Sequence, residues 1–140
     1  MARFGAGDVE RLMNDAGIVR NRQKIEATIS NATALLALPH GTTLGSLLEA
    51  HRPVQETVPA TLADVPAITP ESTALARELR GFGFRFVGPT TAYAMLQATG
   101  YVDDHLRDCW VRAEAGPALR PSPPAPAADS SPAVSLPTVP

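Results

Sequence analysis

Cysteine and aromatic residues are scarce in this chain. Its 140 residues include one cysteine, Cys109, and only 5% aromatic side chains. A single thiol excludes an internal disulfide and is typical of proteins from reducing compartments. A zinc site built within the chain would therefore need other ligand types, and the available imidazoles are those of His40, His51 and His105.

Long apolar runs and excess positive charge are also lacking. No apolar run approaches the ~20 residues that a membrane-spanning helix needs, and the N-terminus lacks the layout of a secretory signal. We therefore expect a cytoplasmic protein with no membrane partner. The net charge is −2, so no overall positive field favours nucleic acid, and any DNA binding must be local. Basic residues cluster at 20–24 and at 80–85, although such clusters are often only solvated surface.

Length and composition predict one globular domain followed by a tail. A chain of 140 residues with 44% hydrophobic residues can form one core. We assign the domain to residues 1–115. Residues 116–140 are rich in Pro, Ala and Ser, which cannot offset the entropy lost on ordering, so we expect a disordered tail.

The first half of the chain has helical periodicity. A short helix is predicted from Asp8, as its N-cap, to about residue 14. A longer amphipathic helix should begin at Asn21 and end before Pro39, with an apolar stripe that faces the core. Thr43 can cap a third helix. Residues 54–68 lack periodicity and are predicted to form an ordered loop.

The second half predicts two more helices joined by a glycine-rich bend. Thr69 followed by Pro70 is a strong helix start, and this helix should stop at Gly81. Pro89 then occupies a first helical position, and the helix it opens should end at Gly100. We therefore predict an all-α fold of about five helices, a small orthogonal bundle with a helix-hairpin-helix and no sheet.

The bend can serve either of two purposes. A glycine-rich turn leaves backbone amides accessible at the start of the next helix, whose dipole favours a bound phosphate. Alternatively, the glycines only turn a corner and the phenylalanines fill the core. Since buried aromatic side chains stabilise a small core, at least one of the three phenylalanines in this stretch should pack inward. The residues concerned are Gly81, Gly83 and Gly88, with Phe82, Phe84 and Phe86.

A histidine and a cysteine follow the last helix at a spacing of four residues. On one helical turn, which Asp103 or Asp104 could cap, His105 and Cys109 would point to the same side and could share a zinc ion. The plainer alternative is a half-buried thiol beside a surface imidazole. Two ligands do not complete a zinc site.

Several of these stretches, in this order, resemble the type I DNA-3-methyladenine glycosylase family. The similarity extends from about Phe4 to Cys109. It rests on Asp8-Val-Glu-Arg-Leu, Asp15-Ala-Gly-Ile-Val-Arg-Asn-Arg-Gln-Lys-Ile25, Gly81-Phe-Gly-Phe-Arg-Phe-Val-Gly88, Thr90-Thr91, Tyr93, Gln97-Ala98, Gly100 and His105-x-x-x-Cys109.

The resemblance implies base-excision repair, by hydrolysis of the N-glycosidic bond of 3-methyladenine in alkylated double-stranded DNA by a monomer. It implies that His105 and Cys109 are two of four structural zinc ligands, the others lying in an N-terminal family segment that this chain lacks. That segment also holds most of the base pocket, so we assign no catalytic residue and expect the chain alone to be inactive. A non-catalytic helix-hairpin-helix DNA-binding module and a structural remnant are the alternatives. The implied DNA-backbone residues are Arg85, Phe86, Val87, Gly88, Thr90 and Thr91.

Overall fold

A computed structural model of the chain describes residues 1–54 and 57–114. Those residues form helices and no strand, which confirms the all-α prediction. None of these helices is both long and apolar enough to cross a membrane. The tail predicted for residues 116–140 lies outside the described residues. The helices are α1 (Ala6–Met13), α2 (Arg22–Leu36), α3 (Leu44–Ala50), a 3-10 helix (Leu62–Asp64), α4 (Pro70–Gly81), α5 (Pro89–Ala98) and α6 (Trp110–Glu114).

The N-termini of α3 and α4 lie where their sequence signals predict them. Thr43 and Ser46 exchange side-chain and backbone hydrogen bonds of 2.9 and 3.0 Å, which forms a capping box for α3. Thr69 and Ser72 do the same for α4, at 2.9 and 3.1 Å. Each pair satisfies amides that a helix start otherwise leaves unbonded. Local chemistry therefore fixes both boundaries.

Helix α1 starts earlier than predicted. Gly5, and not Asp8, is its N-cap, and Asp8 is the third residue of the helix. The Asp8 carboxylate accepts a hydrogen bond of 3.1 Å from the Gly5 amide. That bond, and a second one from Arg11, hold the pKa of Asp8 below its usual value. A carboxylate at either position complements the helix dipole, so sequence alone does not separate the two.

Packing of α4 against α5 forms the centre of the main core. Both helices present apolar residues three and four apart to each other. Helices α1 and α2 pair beside it, with Val9, Ile25 and Ala27 buried. The predicted stripe of α2 is only partly internal, since Leu36 at its end is exposed. The main cluster comprises Leu47, Leu48, Leu75, Ala76, Leu79, Ala92, Tyr93, Leu96 and Val102.

Candidate nucleic-acid interface

The chain leaves α4 through a tight C-terminal cap. Gly83 has φ +89°, the left-handed region that glycine adopts without a Cβ clash. Its amide bonds the Arg80 carbonyl at 3.0 Å, and the Phe84 amide bonds the Leu79 carbonyl at 3.0 Å. These two bonds form a Schellman motif and satisfy carbonyls at the helix end. They also set the direction of residues 82–88, which we call the bend.

A side chain from α2 holds the middle of the bend. The Asn31 amide group donates to the Arg85 carbonyl at 2.9 Å, and its oxygen accepts from the Arg85 amide at 2.7 Å. Asn31 thus pairs with one residue of the bend as a neighbouring strand would. Sequence reasoning missed this residue, because nothing in the pattern of α2 indicates a partner 54 positions away.

Beyond Arg85, backbone donors are left unused. Within residues 1–54 and 57–114, the amides of Phe86, Val87 and Gly88 make no hydrogen bond. Gly88 is the N-cap of α5 and has no side chain that could accept a hydrogen bond from the first-turn amides. The exposed hydroxyls of Thr90 and Thr91 lie on the first turn of α5. Free amides and a helix N-terminus together suit an anion.

The phenylalanines of the bend divide between core and solvent. Phe82, Phe84 and Val87 pack against the main core. This confirms that at least one phenylalanine packs inward. Phe86 is 53% exposed and has φ +58°. The corner-filling alternative therefore describes part of the bend, but not its tip.

Among the described residues, positive charge remains unpaired at the bend, whereas Arg22 in the other basic cluster is neutralised by carboxylates. Arg22 forms an ion pair with Glu10 at 2.7 Å and lies 4.0 Å from Glu26. The exposed Arg85 guanidinium has no ion pair in the described part of the chain, which leaves it available to a phosphate.

His105 and Cys109 come together, but without the predicted helix. The Cys109 Sγ lies 3.7 Å from the His105 Nδ1, and α6 begins only at Trp110. Asp103 accepts a hydrogen bond of 3.1 Å from the His105 amide. The carbonyls of Asp103 and His105 accept hydrogen bonds of 2.6 and 2.8 Å from the Arg112 guanidinium, and not from the amides of a helical turn, so the helical prediction is wrong.

Tyr93, one of the residues that carry the family resemblance, lies in the core, with an exposed fraction of 4%. Its hydroxyl donates to Asp104 Oδ2 at 2.6 Å, and Gln97 Nε2 donates to the same oxygen at 2.7 Å. Burial, and then these interactions with Asp104, raise the pKa of Tyr93 well above its usual value. The network ties the segment before His105 to α5.

A cleft of about 660 Å³ lies beside Tyr93, between α5 and the loop of residues 53–69. Tyr93 is the one aromatic side chain among its described lining residues, and its hydroxyl is already bonded to Asp104. Nearby, Glu78 bonds His51 at 2.5 Å. Among the described residues, neither His40 nor His51 joins His105 and Cys109 in a group of candidate zinc ligands.

Comparisons with known proteins agree with the resemblance in the sequence. The family described as methyladenine glycosylase matches residues 1–113. The chain is 40% identical to the DNA-3-methyladenine glycosylase of Haemophilus influenzae, over 78% of this chain and 60% of that protein. It is 44% identical to DNA-3-methyladenine glycosylase 1 of Escherichia coli, over 73% and 56%. The chain thus spans less than two thirds of the length of these curated relatives.

Solved structures give the same result. A crystal structure of 3-methyladenine DNA glycosylase I superposes with a TM-score of 0.73 at 42% identity, covering 78% of this chain and 62% of that one. A Tyr-to-Phe variant of such an enzyme, in complex with 3-methyladenine, superposes with a TM-score of 0.70 at 30% identity, covering 77% and 60%. The chain belongs to the methyladenine glycosylase family.

Proposed function

We propose that this chain serves base-excision repair, as part of an enzyme that hydrolyses the N-glycosidic bond of 3-methyladenine in alkylated DNA. Its own contribution is to bind the backbone of double-stranded DNA through the bend, which acts as the hairpin of a helix-hairpin-helix. Membership of the family supports the proposed hydrolysis, and the unused amides of the bend support the proposed contact with the DNA backbone. In this proposal the chain acts as a monomer in the cytoplasm.

The free amides carry the proposal. A phosphate at the bend would accept hydrogen bonds from Phe86, Val87 and Gly88, with the positive end of the α5 dipole behind them. The hydroxyls of Thr90 and Thr91 can donate to the same group. Hydrogen bonds to a charged partner contribute about 1.5–3 kcal/mol each, so few are needed. This explains how a chain of net charge −2 can bind DNA.

Hydrolysis of this glycosidic bond depends mainly on how the protein positions the damaged nucleotide. A glycosylase that acts on duplex DNA must extrude the damaged nucleotide and hold its base in a pocket. An alkylated adenine is already cationic and leaves readily, so electrostatics and orientation suffice. We assign no catalytic group to the described residues, and we expect the 140-residue chain alone to release no 3-methyladenine. Release above a protein-free control would contradict that expectation.

A non-catalytic DNA-binding module is the second candidate. It is favoured by the cleft, because the described lining residues offer only one aromatic ring on which a flipped base could stack. The two candidates differ in one assay. The module binds DNA with or without the rest of a glycosylase and never releases base, whereas the repair enzyme releases base once the remaining family segment is supplied.

Zinc at His105 and Cys109 is a further part of the proposal. Tetrahedral zinc with bonds of about 2.3 Å to sulfur and about 2.05 Å to nitrogen places these ligands about 3.6 Å apart. The observed separation of 3.7 Å fits that edge. No third suitable side chain joins them within residues 1–54 and 57–114. Bound zinc would cross-link the chain locally. Zinc uptake measured with and without Cys109→Ser tests this.

Salt-dependent binding of duplex DNA tests the proposed contact. Arg85→Ala should weaken binding and reduce the slope of log K against log salt by about 0.9, the value of one phosphate contact. Arg77→Ala is the matched control, since Arg77 is outside the bend and lines a shallow depression with Ile68 and Pro70, at the start of α4. Equal binding by both variants and the parent chain would refute the proposed role of the bend.

A further inference from the structure

We propose that the Phe86 ring is itself part of the DNA interface and packs against the apolar face of a nucleotide. This inference rests on the proposed function and extends it from the phosphate to the sugar or base. Aromatic and other apolar side chains of DNA-binding proteins reach into grooves in this way, and stack on bases that have left the duplex.

The position of the ring is the first observation. Phe86 is 53% exposed, whereas Phe82 and Phe84 pack against the main core. In the described part of the chain, no cationic side chain stacks on the Phe86 ring. One exposed aromatic ring is common at protein surfaces and would not carry the inference alone.

The backbone of Phe86 is the second observation. Its φ of +58° makes it the one described non-glycine residue with a positive φ. A side chain is disfavoured there, because Cβ crowds the backbone, and glycine would adopt the same angle freely. Phe86 thus combines an unfavourable conformation with exposure of its ring to water. Conformational strain of this kind concentrates at functional sites.

The surroundings of the ring indicate its partner. Phe86 lies next to Arg85, which Asn31 holds in place, and its own amide begins the series of unused donors. A phosphate at those donors brings the sugar and base of the same nucleotide within reach of the ring. The ring would then pack against the apolar surface of that sugar or base, which offers no hydrogen-bond or ionic partner to the amides or to Arg85.

Phe86→Gly separates this role from a structural one. Glycine relieves the positive φ, which offsets the greater freedom of the unfolded chain, so the free energy of unfolding should change little. Loss of the ring should weaken duplex binding by about 5- to 150-fold, the range expected for one aromatic contact. The slope of log K against log salt should not change, because the ring carries no charge. Leu62→Ala, which shortens another exposed apolar side chain, should bind as the parent chain does.

Replacement of the ring completes the test. Phe86→Trp in a Trp110→Phe background should restore affinity, and the fluorescence of the introduced indole should change when DNA is added. Phe86→Gly can also be compared on two kinds of duplex. If its loss of affinity is larger for duplexes with an unpaired nucleotide than for fully paired ones, the base is the contact. If the two losses are equal, the sugar is the contact.

Two results would overturn the inference. One is binding by Phe86→Gly within twofold of the parent chain, and the other is a loss that Phe86→Trp does not restore. If Arg85→Ala still reduces the salt slope in that case, only the role of the ring fails. If the parent chain binds no DNA, the proposed function fails with it.

Discussion

Replacing Asn31 with alanine removes the connection between α2 and the bend. The substitution deletes both hydrogen bonds to the Arg85 backbone, of 2.9 and 2.7 Å, and leaves α2 without a polar partner there. Alanine is the best helix former, so α2 itself should be unaffected. Any change in stability or binding therefore reports on the bend.

Two hydrogen bonds set the size of the effect. Each contributes about 0.5–1.5 kcal/mol net, so Asn31→Ala should lower the free energy of unfolding by about 1–3 kcal/mol. For a domain of this size, that corresponds to a decrease in Tm of several degrees, at about 4 °C per kcal/mol. A loosened bend must also be reordered when DNA binds. Fixing one residue costs about 1–2 kcal/mol, so affinity should fall about 5- to 30-fold.

Urea denaturation and fluorescence anisotropy with a labelled duplex measure the two effects. Asn14→Ala is the matched control, because the Asn14 side chain also bonds a backbone carbonyl, that of Glu10, but at the end of α1. It should lower stability and leave DNA affinity unchanged. If Asn31→Ala lost stability and still bound DNA as the parent chain does, the reasoning that links the bend to DNA would be refuted.

Three further predictions concern the scaffold. Gly83→Ala should destabilise the chain by about 1 kcal/mol because of the positive φ, whereas Gly81→Ala, at a helical position with open space, should stabilise it by about 0.5–1 kcal/mol; paired urea titrations decide. Leu75→Ala should cost about 2–5 kcal/mol, measured as a lower urea midpoint with unchanged slope, because Leu75 is fully buried. The raised pKa of Tyr93 contributes stability that is complete below about pH 10 and is lost as pH rises above it, so Tyr93→Phe should flatten stability against pH in that range.

Helix boundaries could be predicted where their determinants are local. Pro70 and Pro89 open α4 and α5 as expected, and α4 ends at Gly81. These signals act within a few residues, so periodicity and capping identify them. The bond between Asn31 and Arg85 joins residues 54 positions apart and depends on how α2 packs. No local pattern encodes it.

The two main differences between sequence and structure lie at His105 and at Phe86. The spacing of His105 and Cys109 suggested one helical turn, but the Arg112 side chain bonds the carbonyls that such a turn would use. Phe86 adopts a positive φ as well as Gly83, which nothing in the sequence indicated. Sequence reasoning identified the candidate site and could not foresee this backbone conformation.

Chemical-shift changes of individual backbone amides, followed by NMR as duplex DNA is added, test the central claim most directly. We expect the largest changes at Phe86, Val87 and Gly88, with smaller ones on the first turn of α5. Their magnitude should decrease as salt is raised. Unchanged amides in the bend, together with saturable shifts elsewhere on the chain, would contradict the account.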